Sequence, residues 1–203
     1  MILFADSKGE LNYDKITGET TVQDLLDAID SFLSNQPLFC DQCDESCCKK
    51  SWSVEMDNVC VNRLCGWDEV AISNFIQDKL VKTKNHCLEF DQYIFKKEQN
   101  CFYVTDGNLC TIYRQRPLIC RLYVCSAKSR RYNVIRELAG AAYLRALILE
   151  EKMRCKEFSK RTIESYKRNP AFLAQDYRVS LADILNYALE MGWLESEDVR
   201  ELE

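Results

Sequence analysis

Cysteine is the residue type that most constrains this chain: it occurs twelve times in 203 residues, against a single histidine. Four cysteines fall within nine residues, in the order Cys40-Asp-Gln-Cys43-Asp-Glu-Ser-Cys47-Cys48, and Cys60 follows shortly after. Two cysteines separated by two residues can direct both sulfur atoms at one metal atom, whereas a disulfide gains nothing from that spacing. The arrangement therefore predicts a metal or iron–sulfur site held by thiolates.

A second group of cysteines, Cys101, Cys110 and Cys120, follows after a gap. Because His86 is the only histidine, a zinc finger with two histidine ligands is excluded, and a Ser-His or Cys-His catalytic pair would have to use His86. A metal site in this chain must be ligated almost wholly by sulfur.

The composition is typical of one globular domain spanning residues 1–203. Hydrophobic residues make up 47% of the chain, which is ordinary for a soluble protein. No run of residues is apolar enough to span a bilayer, and the first six residues lack the basic flank and apolar core of a signal peptide. We therefore expect a cytoplasmic protein in a reducing compartment, where cysteines are metal ligands or buried thiols rather than disulfides.

Charge is distributed unevenly along the chain, although the net charge is only −5. Residues 1–48 carry ten acidic and two basic side chains, and residues 121–168 carry thirteen basic and five acidic ones. The basic stretch is either the solvated surface of helices or a docking face for an anionic partner such as an acidic protein. Nucleic acid is not expected, since no RNA-binding aromatic motif or helix-turn-helix signature accompanies it.

We predict an α+β fold that is mainly helical, with a small irregular β-like region rich in cysteine. Residues 1–39 are predicted to hold a hairpin and a helix, residues 40–125 the cysteine region, and residues 126–203 further helices. The strongest predicted helix covers 129–155, because its apolar side chains occupy most of the helix circumference. Its small residues Ala139-Gly140-Ala141-Ala142 would let another element approach closely.

Shorter elements follow from capping residues and from alternation of apolar and polar residues. They are a helix capped by Thr21, a strand over 54–61, a helix over about 68–82, a strand over 87–95, a helix near 158–168 and a helix from Ser180 to Gly192.

The segment from Cys101 to Cys110 is predicted to form a hairpin, because Asp106-Gly107 suits a two-residue turn. With that turn Cys110 lies opposite Tyr103, and Cys101 shares its face of the ribbon. The two cysteines are then diagonal neighbours, roughly 7–8 Å apart at the backbone. That distance is too long for an easy disulfide and suits two ligands of one metal.

The segment Arg114-Gln-Arg116-Pro117-Leu-Ile-Cys120-Arg121 is predicted to turn into a helix at Pro117. Cys120 then lies in the first turn, where the helix N-terminus stabilises a thiolate. The three arginines are predicted to lie beside the bound cofactor, since guanidinium donors stabilise a negatively charged cluster. The alternative is that these arginines pair with acidic side chains at the surface.

The order Cys-x-x-Cys…Cys-Cys, Cys-Phe-Tyr…Cys-Thr-Ile-Tyr…Arg-Pro-x-x-Cys-Arg resembles the cysteine-cluster family named for its CxxCxxCC motif. That family is described as zinc- or iron-chelating, and it includes the flagellin lysine N-methylase. The resemblance runs from Cys40 to about Arg121, and its second half, from Cys110 to Arg121, is the more specific.

Carried onto this chain, the resemblance implies seven metal ligands: Cys40, Cys43, Cys47, Cys48, Cys101, Cys110 and Cys120. Three residues separate Cys43 from Cys47 where the family motif has two, which leaves open whether Cys47 or Cys48 reaches the metal. Seven ligands exceed the four that one tetrahedral zinc ion or one 4Fe–4S cluster uses, so either two metals bind or some of these cysteines are structural or exchange.

The remaining cysteines are interpreted separately. Cys125 is a candidate for an extra ligand. The others are interpreted as inert thiols of the core, because cysteine is among the most commonly buried residue types, although Cys60 could still join the site. They are Cys60, Cys65, Cys87 and Cys155.

Three functions follow from these observations. The first is an iron–sulfur or iron-binding protein with a redox, sensing or metal-handling role, which the surplus of cysteines and the nearby arginines favour. The second is a protein in which zinc ties the irregular region to the helices and the helices bind a partner. The third, implied by the resemblance alone, is methyl transfer from S-adenosylmethionine to protein lysines, against which stands the lack of a Gly-rich nucleotide motif.

Overall fold

The computed structural model describes residues 1–34, 54–96, 101–106, 110–157, 160–195 and 202. Over these residues the fold is α+β and mainly helical, with two small antiparallel sheets, which confirms the predicted fold class. Within the same ranges, no helix combines the length and the apolar character that crossing a membrane requires.

The N-terminal part is a hairpin followed by a helix, as predicted. Strands β1 (Leu3–Ala5) and β2 (Leu11–Tyr13) pair antiparallel around a turn in which Gly9 has a φ of +75°. Helix α1 (Val22–Ser34) begins with a capping box, since Thr21 and Asp24 each accept a hydrogen bond from the other's backbone N–H.

A three-stranded sheet and two helices follow. Their order along the chain is β3 (Glu55–Met56), α2 (Asn58–Leu64), α3 (Glu69–Lys79), β4 (Leu80–Asn85) and β5 (Phe90–Phe95). Strand β5 lies in the middle and pairs antiparallel with β3 on one side and β4 on the other.

Two predictions in this region are wrong in part. The strand predicted over 54–61 ends at Met56, because Asp57 caps a helix by accepting the backbone N–H of Cys60 at 2.8 Å. The helix predicted to about residue 82 ends at Lys79, and β4 replaces its last turn. Strand β4 pairs with β5 along its whole length, and its exposed lysines at positions 82 and 84 are typical of an edge strand.

The C-terminal half is helical. It contains α4 (Leu118–Arg121), α5 (Arg130–Arg154), α6 (Lys160–Tyr166) and α7 (Leu181–Glu190). Helix α5 is capped by Ser129, whose hydroxyl accepts the backbone N–H of Tyr132 at 3.2 Å, and its bounds agree with the prediction.

Helix α5 forms the centre of the core. From Leu138 to Glu150 every residue except Arg145 is buried. Its first half packs with α1 and α7, and its second half packs with the sheet, α2 and α3. At the predicted small-residue patch, a Cβ added to Gly140 would lie 4.0 Å from Ile119 of α4, so the approaching element there is the helix that carries Cys120.

A buried carboxylate links α5 to α2. Glu150 is 1% exposed and accepts hydrogen bonds from the Asn58 amide at 2.6 Å, the Asn62 amide at 3.3 Å and the Leu173 backbone N–H at 3.0 Å. Burial raises the pKa of Glu150. The three hydrogen bonds and the charge of Arg154 offset this increase only in part. The Oδ1 atom of Asn62 is buried and has no hydrogen-bond partner.

Replacing Glu150 by glutamine should remove a loss of stability that Glu150 causes as the pH rises. Because the folded state raises this pKa, the carboxylate reduces stability as the pH rises above the unfolded value of about 4.3, and the reduction is complete once the pH passes the folded value. Glu150→Gln removes this effect, and rotation of the Asn62 amide lets its Oδ1 accept from the new side chain. The free energy of unfolding of the variant, relative to wild type, should rise between acidic and neutral pH in urea titrations.

Glu164→Gln is the matched control, because it removes a carboxylate whose side chain is 70% exposed. A stability difference between Glu150→Gln and wild type that stays constant with pH would contradict the interpretation of Glu150.

Candidate metal site

The structure describes only part of the predicted ligand set. Cys40, Cys43, Cys47 and Cys48 lie outside the described residues. Cys101, Cys110 and Cys120 are described, and each is partly buried. No disulfide joins any two of the eight cysteines that the structure describes.

Cys120 lies where the sequence predicts it. Pro117 has an extended conformation, with φ −51° and ψ 149°, and α4 begins at the next residue. The backbone N–H of Cys120 donates to the carbonyl oxygen of Pro117 at 2.9 Å, which places the cysteine in the first turn. Since α4 has only four residues, its dipole gives this thiol little help.

The predicted register of the second cysteine hairpin is wrong by one residue. Cys110 pairs with Val104 rather than with Tyr103, in an isolated antiparallel bridge. The connection between the bridged residues is 105–109, five residues rather than a two-residue turn. The argument that put Cys101 and Cys110 on one face depended on the shorter turn and no longer applies.

Two cysteines that the sequence assigned to the core lie beside the predicted ligands. Burial raises the pKa of the Cys60 thiol, and the charges of Asp57, Cys120 and Cys65 raise it further, while Arg63 lowers it. Burial also raises the pKa of Tyr103, and the charges of Cys60, Cys101 and Cys65 add to that effect. We call Cys60, Cys65, Cys101 and Cys120 the thiol cluster, because each lies within electrostatic reach of Cys60 or Tyr103.

The thiol cluster draws on separate parts of the chain. Cys60 lies in α2, Cys65 caps the end of α2, Cys101 precedes the isolated bridge and Cys120 lies in α4. A recognisable signal for the position of Cys60 was present in the sequence, because Asp57 three residues earlier is a good N-cap.

The cluster is not a complete metal site by itself. Across the described ranges, no three cysteine, histidine, aspartate or glutamate side chains come together closely enough to hold a metal ion. Any metal bound through the thiol cluster therefore needs ligands beyond it or a rearrangement of the described ones.

A buried aspartate joins the two helices that carry Cys60 and Cys120. Asp57 is 0% exposed. Its Oδ1 accepts the Cys60 backbone N–H at 2.8 Å and the Tyr177 hydroxyl at 3.0 Å, and its Oδ2 accepts the Leu118 backbone N–H at 2.7 Å. Burial raises the pKa of Asp57, and these hydrogen bonds oppose the increase.

The three predicted arginines take different positions. Arg114 is exposed, whereas Arg116 and Arg121 both reach Asp30 of α1, at 4.0 and 3.7 Å. This is the acidic pairing that the sequence left as the alternative. The guanidinium that acts on the Cys60 thiol is that of Arg63, which also lies 5.3 Å from the centre of the Tyr177 ring.

The interpretation of Cys87 and Cys155 as buried thiols is wrong. Both are exposed, as is Cys125. Cys155 caps the C-terminus of α5, where the helix leaves the core, and Cys87 lies in the turn between β4 and β5.

Several side chains of the basic stretch are paired within the chain. Arg121, Arg136, Arg154 and Lys167 lie 3.7, 3.5, 4.0 and 2.8 Å from the carboxylates of Asp30, Glu137, Glu150 and Glu164. The docking face for an anionic partner stays a prediction.

Comparisons of the chain with protein-family models, with curated proteins and with solved structures give no match. The resemblance to the cysteine-cluster family therefore stays a prediction that rests on the motif alone.

Exposure and pKa predict an order of thiol reactivity. Cys87 and Cys155 should be alkylated about tenfold faster or more than Cys60, because Cys60 is 1% exposed and its burial disfavours the reactive thiolate. Iodoacetamide labelling at pH 8, followed by peptide mass spectrometry, measures the rates. Labelling in urea is the control, in which the three rates should converge; equal rates in the folded protein would contradict the placement of Cys60.

Proposed function

We propose that this protein holds an iron–sulfur cluster, or iron, through cysteine thiolates and uses it in a redox, sensing or metal-handling role. The observation that carries the proposal is the thiol cluster, in which separate segments place Cys65, Cys101 and Cys120 near the buried Cys60. Soft thiolate donors of this kind are the ligands that iron–sulfur clusters and zinc prefer.

The remaining ligands in this proposal come from the segment that contains Cys40, Cys43, Cys47 and Cys48. Both neighbours of that segment in the chain lie beside the thiol cluster. Before it, Asp30 contacts Arg116 and Arg121 on either side of Cys120, and α1 ends one turn later at Ser34. After it, Val54 precedes Asp57 by three residues.

Short connections join these cysteines to the described part of the chain. Cys40 follows Ser34 by six residues, and Cys48 precedes Val54 by six residues. Six extended residues span at most about 20 Å. Either Cys47 or Cys48 can complete the site, as the sequence left open.

A bound metal would favour the thiolate form of the cysteines that ligate it. Burial and the negative charge of Asp57 disfavour a thiolate at Cys60, and a bound cation would reverse that effect for the cysteines around it. A cluster, when bound, supplies one-electron redox chemistry. A reducing, cytoplasmic setting belongs to this proposal, because the ligands must remain thiols until metal binds.

Structural zinc is the second candidate, and one observation favours it. The segment that carries Cys101, Cys110 and Cys120 contains an isolated bridge, a single 3-10 turn at Tyr113–Gln115 and the four-residue α4. Such a segment gains much from a metal that ties it to the core. Methyl transfer to protein lysines stays a prediction from the motif.

Single substitutions test the proposed ligands. Cys120→Ser should lose most of the bound metal, because Cys120 belongs to the thiol cluster, and Cys110→Ser should do the same, because the resemblance implies that Cys110 is a ligand. Cys155→Ser should keep the metal, because Cys155 is exposed at the end of α5. Metal per chain is measured on anaerobically purified protein. Equal metal content in the three variants would overturn the ligand assignment.

A further inference from the structure

The turn that carries Cys120 is held by a residue distant in sequence. No side chain of its own caps α4. The backbone N–H of Leu118, its first residue, instead donates to Asp57 Oδ2 at 2.7 Å, across 61 positions of the chain. A buried backbone N–H needs such a partner, so Asp57 supplies the cap that the local sequence lacks.

A second contact holds the same turn before Pro117. The Cys60 thiol donates to the carbonyl oxygen of Gln115, with Sγ and O separated by 3.2 Å. The two anchor points, Gln115 and Leu118, bracket Arg116 and Pro117. Since the proline ring fixes its own φ and restricts the residue before it, anchoring both sides leaves the turn little freedom.

The two anchors are themselves joined. Asp57 Oδ1 accepts the backbone N–H of Cys60 at 2.8 Å, so the same carboxylate caps α2 and α4. Its position fixes the first turns of these helices against each other. In this arrangement the Cys60 thiol donates a hydrogen bond to a carbonyl oxygen, so it acts as a donor.

We propose that Asp57 and Cys60 are positioning residues that hold the turn bearing Cys120 ready to ligate metal, with Cys60 acting as a hydrogen-bond donor and not as a ligand. This inference rests on the proposed function, because it assigns roles within the same site. It also decides a point that the sequence left open, namely whether Cys60 joins the ligands.

Asp57→Asn is the most direct test. An asparagine has one acceptor oxygen, and if that oxygen keeps the bonds from Cys60 and Tyr177, its amide nitrogen faces the N–H of Leu118, where donor meets donor. The cap of α4 is then lost. Cys60→Ala is the second variant, since it removes the other anchor with a small change of volume.

The matched control is Ser129→Ala, which removes the hydroxyl that caps α5 through Tyr132 and does not touch the turn. Wild type and the three variants are purified anaerobically as full-length protein and analysed for metal per chain. Each protein is then mixed with excess chelator, and the rate of metal release is measured. Circular dichroism confirms folding, and if Asp57→Asn does not fold, Cys60→Ala carries the test.

Asp57→Asn and Cys60→Ala should release metal about tenfold faster than wild type or more, the scale on which residues that support metal ligands act. Ser129→Ala should release it at the wild-type rate, and Cys60→Ala should start with the wild-type metal content.

Three results would overturn the inference, and they are distinguishable. Unchanged release from the folded variants removes the positioning roles and leaves the proposed function intact. A loss of metal content in Cys60→Ala at purification makes Cys60 a ligand. Wild-type protein that contains no metal removes the proposed function and this inference together.

Discussion

The burial of α5 is the constraint on which the rest of this fold depends. A helix of 25 residues that is buried on nearly every side from Leu138 to Glu150 can only exist when other elements surround it. The N-terminal helix and α7 cover one end, and the sheet with α2 and α3 covers the other. Glu150 and Gly140 then set specific contacts on this helix, the first with α2 and the second with α4.

The candidate site joins that core to segments with little regular structure. Asp57 makes the connection, because it caps both α2 and α4. Helix α2 is hydrogen-bonded to α5, and α4 carries Cys120. Burying a carboxylate is costly unless hydrogen bonds replace its water, and bonds to charged groups contribute roughly 1.5–3 kcal/mol each. Three such bonds make Asp57 a stable fixed point between α2 and α4.

Local sequence signals predicted the helices well and the cysteine region less well. The caps at Thr21 and Ser180 and the apolar face of 129–155 are local signals, so these three helices were predicted near their actual bounds. The register at Cys110 was wrong because it depended on the length of a connection that one dipeptide, Asp106-Gly107, did not determine. Strand β4 was missed because its stability comes from pairing with β5, which propensity does not report.

The site shows the same division between local and distant information. Cys120 was placed correctly because Pro117 fixes the start of its helix. The grouping of Cys60 and Cys65 with Cys101 and Cys120 arises from contacts between residues far apart in sequence, which spacing alone does not reveal. The pairing of Arg116 and Arg121 with Asp30 is of the same kind, since it depends on how α1 packs beside α4.

The central claim is that the cysteines hold a metal, and the most direct test is the metal and sulfide content of one anaerobically purified sample together with its visible spectrum. The account predicts iron and acid-labile sulfide in equal amounts and a broad brown absorption band. Zinc alone in a colourless protein would replace the cluster by the structural alternative. A colourless protein with neither iron nor zinc would contradict the account.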